Sequence, residues 1–164
     1  MHLYLVRHAD ALSQTEAGVV SDGERPLSPK GREFLAKALP LLKKSIPSLD
    51  SCLTSPYVRA LETAENLVTA IPCQKPLEKF EGLKPDSPPK ILLAELDRRK
   101  TENHIMLVGH EPYLGSLFSY LLSGRFGSSI PFAKGGMAHI EVYAIPPHGL
   151  LPDLRWFYNP PIVD

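Results

Sequence analysis

The sequence predicts a single α/β domain spanning 1–164, a three-layer sandwich with helices on both faces of a mostly parallel central sheet. Three observations point there. Apolar runs of strand length alternate with segments of helical period, as in chains built from βαβ units. A chain of 164 residues favours one hydrophobic core over several. Helix-start signals, a serine or glutamate followed by proline, lie between the strand runs.

The first strand covers 2–7, through Leu3-Tyr4-Leu5-Val6. A helix opens at Ser28-Pro29, where serine caps free N–H groups and proline suits the first helical position; Pro40, inside that pattern, is expected to kink or shorten it. The second strand is 51–54, and Ser55-Pro56 opens the next helix. There Ala60, Leu61, Ala64, Leu67, Val68 and Ile71 form one buried stripe, with Glu62 and Glu65 outside it. A weaker strand at 77–80 precedes a helix opening at Ser87-Pro88. Strand 104–108 follows, then a helix from Glu111-Pro112 and strands at 138–145 and 154–157.

Charge excludes some functions. Lysine plus arginine number 18 and aspartate plus glutamate 18, with no basic or acidic tail. That balance argues against nucleic-acid or anionic-membrane binding through bulk charge. The longest uncharged run, 112–124, is 13 residues and too short to span a bilayer. Met1 leads directly into the first strand without a charged leader and apolar stretch, so a cytoplasmic protein is expected. Cys52 and Cys73 are too few for a disulfide framework and are read as reduced thiols. Proline is abundant, 17 residues, and four of these stand at helix starts.

The chemistry gathers at strand ends. Arg7-His8 closes the first strand and Gly109-His110 the fourth, while Arg59 falls in the first turn of the helix after 51–54. Open α/β sheets bind ligands at the carboxyl ends of parallel strands, so residues far apart in sequence can meet there. Two guanidinium forks, two imidazoles and nearby helix N-termini suit a phosphoryl dianion.

The runs Leu5-Val6-Arg7-His8-Ala9-Asp10-Ala11, Ser55-Pro56-Tyr57-Val58-Arg59-Ala60-Leu61-Glu62-Thr63 and Val108-Gly109-His110-Glu111-Pro112 together resemble the histidine phosphatase (phosphoglycerate mutase-like) superfamily. The short chain and Arg25-Pro26-Leu27-Ser28-Pro29-Lys30-Gly31 look most like its SixA-type phosphohistidine phosphatases. Ala9 departs from the glycine usual after the first histidine. The resemblance implies a phosphoglycerate mutase-like fold and hydrolysis of phosphohistidine on a protein, with no cofactor or metal. His8 is the implied nucleophile, with Arg7, Arg59 and His110 stabilising the transferring group. Both arginines are expected to hold the His8 pKa down. Arg25 matches a further phosphate-contacting arginine of the SixA pattern, and Glu81 falls where many relatives carry the acid that protonates the leaving group.

Two rivals remain: a phosphatase of small phosphate esters, and a phosphoprotein-binding module without chemistry. Expected partners are a phosphorylated protein, such as a histidine phosphotransfer domain, or a small phosphate ester; nucleic acid and membrane are not expected. His2, His104, His139 and His148 have no motif around them and are read as structural or surface residues. Lys43-Lys44 and Arg98-Arg99-Lys100 are read as complements to helix dipoles, Gly135-Gly136 as a turn, and Trp156, Phe157 and Tyr158 as core.

Overall fold

Strand β1 (His2–Arg7) sets the plan. Its side chains alternate with period two: Leu3 and Leu5 enter one apolar cluster, Tyr4 and Val6 the other. The computed structural model describes residues 1–125, 127–145 and 151–160. It contains α1 (Gln14–Ala17), α2 (Pro29–Ser45), β2 (Ser51–Thr54), α3 (Val58–Ala70), β3 (Glu78–Lys79), α4 (Pro89–Arg98), β4 (His104–Gly109), α5 (Tyr113–Ser123), β5 (Met137–Glu141) and β6 (Asp153–Tyr158). Two 3-10 turns, Asp22–Glu24 and Glu81–Leu83, lie between them.

The strands form one sheet in the order β3-β2-β4-β1-β5-β6. The first four of that order are parallel, while β5 and β6 run antiparallel at one edge. Leu35 and Leu42 of α2 and Ala60, Ala64 and Leu67 of α3 cover one face. Leu92 and Leu96 of α4 and Leu114, Leu117, Phe118 and Leu121 of α5 cover the other. The expected three layers are therefore present, and each cluster takes alternate residues of the same strands.

Some boundaries differ from expectation. The fifth strand is Met137–Glu141 and not 138–145; Val142 leaves the ladder, buried, and donates its N–H to the Met1 carbonyl. Helix α2 runs past Pro40 to Ser45 without being shortened. Ser28 caps it as expected, accepting from the Gly31 N–H at 3.0 Å. Ser55 and Ser87 cap nothing: α3 begins at Val58 and α4 at Pro89, neither with a side-chain cap. Trp156 and Phe157 pack against opposite clusters, but Tyr158 is half exposed beside Phe34. His148 lies outside the described residues. No helix among the described residues is long and apolar enough to cross a membrane.

The topology places the carboxyl ends of β1, β2 and β4 side by side. His8 N–H donates to the Gly109 carbonyl at 3.0 Å, and Ser55 N–H to that of Val108 at 2.9 Å. Gly31 lets the first turn of α2 approach the same edge, because a Cβ there would lie 2.2 Å from the Asp10 carbonyl oxygen. Gly135, at φ +75°, turns the chain into β5 and donates its N–H to the His8 carbonyl at 3.1 Å.

Candidate active site

His8 follows the last residue of β1 and is 7% exposed. Its Nδ1 lies 2.7 Å from the Ala9 carbonyl oxygen. A carbonyl only accepts, so Nδ1 carries the proton and Nε2 keeps its lone pair. Into that lone pair Arg59 Nε–H donates at 3.1 Å. Burial above all pushes the His8 pKa down to about 3, with the Arg59 and Arg7 charges adding to it and the Ala9 hydrogen bond opposing. Both arginines thus act as expected, but burial leads. Ala9 needs no left-handed backbone, and its N–H reaches Thr63 Oγ1 at 3.2 Å.

Arg59 stands in the first turn of α3 with its guanidinium 5.1 Å over the Tyr57 ring. Arg7 ends β1 and donates through Nη1 to the Phe132 carbonyl at 2.5 Å, while its Nε is buried without a hydrogen-bond partner. His110 follows β4, with its ring 5.0 Å from that of His8. Its Nε2 meets Ser55 Oγ at 2.8 Å, and its Nδ1 is buried without a partner. Ser55 Oγ also accepts from the Tyr57 N–H at 3.4 Å. Burial, then His8 and Arg59, keep the His110 pKa well below the usual imidazole value. A neutral imidazole with its lone pair on Nε2, two fixed guanidiniums and a second buried imidazole with an unpartnered ring nitrogen therefore share one edge of the sheet.

The other two sequence candidates lie apart from these four. Arg25 donates Nε to the Leu12 carbonyl at 2.6 Å and Nη1 to Asp22 Oδ1 at 2.8 Å. It reaches Arg59 only through Asp22. Glu81 is exposed and paired with Lys84 at 2.5 Å. The sequence reading passed over Asp22, Ser55 as a partner of His110, and Thr63. The capping-box pattern Ser21-Asp22-Gly23-Glu24 just before Arg25 was a signal that this segment is held rigidly.

The sequence model of the histidine phosphatase superfamily (branch 1) matches residues 3–84, half of the chain. The chain belongs to the histidine phosphatase superfamily. It is a phosphatase, and its sheet is that of the phosphoglycerate mutase-like histidine phosphatases. A phosphohistidine phosphatase SixA homolog from Haemophilus influenzae is 29% identical over 136 residues, covering 76% of this chain and 79% of that protein. The solved structure of the protein histidine phosphatase SixA complexed with tungstate superimposes with a TM-score of 0.83 at 21% identity, over 97% of each chain. The alpha-ribazole phosphatase from Shigella flexneri gives 0.68 at 18% identity, over 96% of each. Both solved phosphatases share the fold of this chain along nearly its whole length.

The depressed imidazoles of this histidine phosphatase make its stability pH-dependent. His139, stacked with Tyr4 and beside His2 at the opposite end of the sheet, is pushed down to about 4, mainly by burial. Each such group is neutral in the fold and gains a proton more readily when unfolded, at about 6.5. Stability held above about pH 6.5 is therefore lost as pH falls toward the folded values near 4 and 3. Melting temperature is expected to decline steadily from pH 6.5 to pH 4, with a shallower decline in His139→Gln. A flat profile would mean that the buried imidazoles carry charge in the fold.

Proposed function

We propose that the protein removes the phosphoryl group from a phosphohistidine presented by another protein, through a covalent phosphohistidine on His8. The His8 lone pair on Nε2 attacks phosphorus, and the P–N bond of the substrate breaks. The electrons return to the departing imidazole, which leaves neutral because its other ring nitrogen already carries a proton. His8 then bears phosphorus on Nε2 and a proton on Nδ1, and the Ala9 carbonyl accepts that proton's hydrogen bond throughout. Arg7, Arg59 and His110 stabilise the equatorial oxygens. Water attacks next, His8 leaves as the neutral ring, and the water proton passes to the phosphate.

The leaving group carries the choice of substrate. An alkoxide needs a proton from the enzyme, whereas a protonated phosphoimidazole supplies its own. Asp22 is held ionised, chiefly by its hydrogen bond from Arg25 and also by Arg59. Glu111 accepts the Gly115 N–H at 2.9 Å, and Glu81 is paired in the open with Lys84. Each of these three carboxyls already has a hydrogen-bond or ion-pair partner, which supports a substrate that brings its own proton. The rim supports an open site as well, since α1 and the Asp22–Glu24 turn bury none of their residues.

The test is phosphate release from a phosphorylated histidine phosphotransfer domain, from an aryl phosphate and from sugar phosphates. The first is expected to turn over fastest, the aryl ester slowly because its leaving group is good, and sugar phosphates least. Turnover of sugar phosphates alone would overturn the assignment in favour of a small-ester phosphatase. Binding of the phosphoprotein with no phosphoenzyme at all would make the protein a recognition module.

A further inference from the structure

We infer that Asp22 is a positioning residue: it grips the outer edge of Arg59 and thereby turns the inner edge of that guanidinium toward His8 Nε2. The inference rests on the proposed catalytic role of His8 and Arg59.

A guanidinium offers five N–H bonds in a planar fork with an end-on pair of nitrogens and a side-on pair that includes Nε. Asp22 occupies the end-on pair of Arg59. Its carbonyl oxygen accepts from Nη1 at 2.6 Å and its Oδ2 from Nη2 at 2.9 Å. The side-on edge, Nε–H with the second hydrogen of Nη2, is then the one facing the nucleophile, as the 3.1 Å bond to His8 Nε2 records. A phosphoryl oxygen arriving at His8 takes that same bidentate edge without displacing Asp22.

Asp22 is itself held in place. Arg25 binds its other carboxylate oxygen at 2.8 Å and is anchored in turn on the Leu12 carbonyl. The turn carrying it is closed by reciprocal bonds, Ser21 N–H to Glu24 Oε2 at 3.2 Å and Gly23 N–H to Ser21 Oγ at 3.3 Å. It also lies on the Tyr57 ring, which a Cβ at Gly23 would meet at 3.3 Å. The same ring lies under the Arg59 guanidinium, at 5.1 Å. Arg25, Asp22, Arg59 and His8 thus form a chain of four, in which only the last two touch the reacting atoms. Arg59 is 6% exposed at its side chain and Asp22 50%, so the grip is applied from the rim onto a buried fork. This assigns Arg25 to the buttress and not to the phosphate.

A double-mutant cycle on the full-length protein separates positioning from bulk structural support. Turnover of an aryl phosphate and dissociation of orthovanadate are measured for Asp22→Ala, Asp22→Asn, Arg59→Ala and Asp22→Ala/Arg59→Ala, with melting temperature as a folding check. Asp22→Ala is expected to lower kcat by roughly tenfold to a hundredfold, the scale of a misplaced catalytic group, with KM moving by less than about threefold. Vanadate affinity is expected to fall in step with kcat/KM, and Asp22→Asn, which keeps one oxygen, to fall between wild type and alanine. In the Arg59→Ala background the Asp22→Ala loss is expected to vanish. An unchanged kcat in Asp22→Ala overturns the inference, and so does a loss of the same size in both backgrounds. Full activity in both Arg59→Ala and His8→Ala would instead overturn the underlying assignment of the site.

Discussion

His8→Ala is expected to lower phosphate release by at least about a thousandfold and to abolish the phosphoenzyme, because no other group can replace a nucleophile in a covalent path. The geometry makes His8 hard to substitute. Its tautomer is set by the Ala9 carbonyl, its ring is buried, and its lone pair already points at a guanidinium. No other described histidine combines those three properties: His110 Nε2 is engaged with Ser55 Oγ, and His2, His104 and His139 gather at the other end of the sheet. Rapid-quench labelling with phosphorylated substrate measures the intermediate, and acid lability of the label identifies it as a phosphoramidate. A labelled His8→Ala protein with undiminished release would place the nucleophile elsewhere.

Arg7→Ala is the second large effect, a loss of roughly a hundredfold to a thousandfold in kcat through one absent charge-stabilising fork. Arg7 differs from Arg59 in how it is held. One nitrogen is tied to the Phe132 carbonyl and Nε is buried without a partner, a polar atom that a phosphoryl oxygen would satisfy. Arg7→Lys is expected to recover only a small part of the loss, since an ammonium cannot reproduce a planar fork. A stability change accompanies the kinetic one. Burial raises the Glu111 pKa while the Arg7 charge opposes that rise. Without Arg7 the carboxyl becomes still harder to ionise, so Arg7→Ala is expected to lose more stability at pH 7 than at pH 5. That trend runs opposite to the histidine one, and thermal melts across the range distinguish them. Equal deficits at both pH values would show that Arg7 does not influence Glu111.

Much of this was legible in the sequence because its physics is local. Strand period and Ser28-Pro29 capping act within a few residues, and they located β1, β2, β4 and the start of α2. The four candidate residues were legible because Arg7, His8 and His110 stand at the close of an apolar run and Arg59 opens the helix that follows another. What escaped the sequence depends on partners distant in the chain. Ser55 reads as a helix cap until its hydroxyl is seen to be engaged by His110, 55 residues further on. Arg25 is expected to meet the phosphate, and what its motif does not show is the pairing with Asp22. The depth of the His8 pKa shift follows from burial, which belongs to the assembled core and to no single motif. The end of β5 was overextended because Val142 stays apolar and buried after its strand has ended.

The strand order also bears on how the enzyme comes into being as it is synthesised. Arg7 and His8 are made well before the partners of their strand, for both neighbours of β1 in the sheet, β4 and β5, come from beyond residue 103. The carbonyl of Phe132 that seats Arg7, and the Gly135 N–H and Gly136 carbonyl that fasten this strand end, arrive later still. Such long-range pairings form late, after the cost of closing a long loop has been met. Until β4 and the antiparallel edge dock, Arg7 lacks the Phe132 carbonyl that seats it and β1 lacks both of its neighbours.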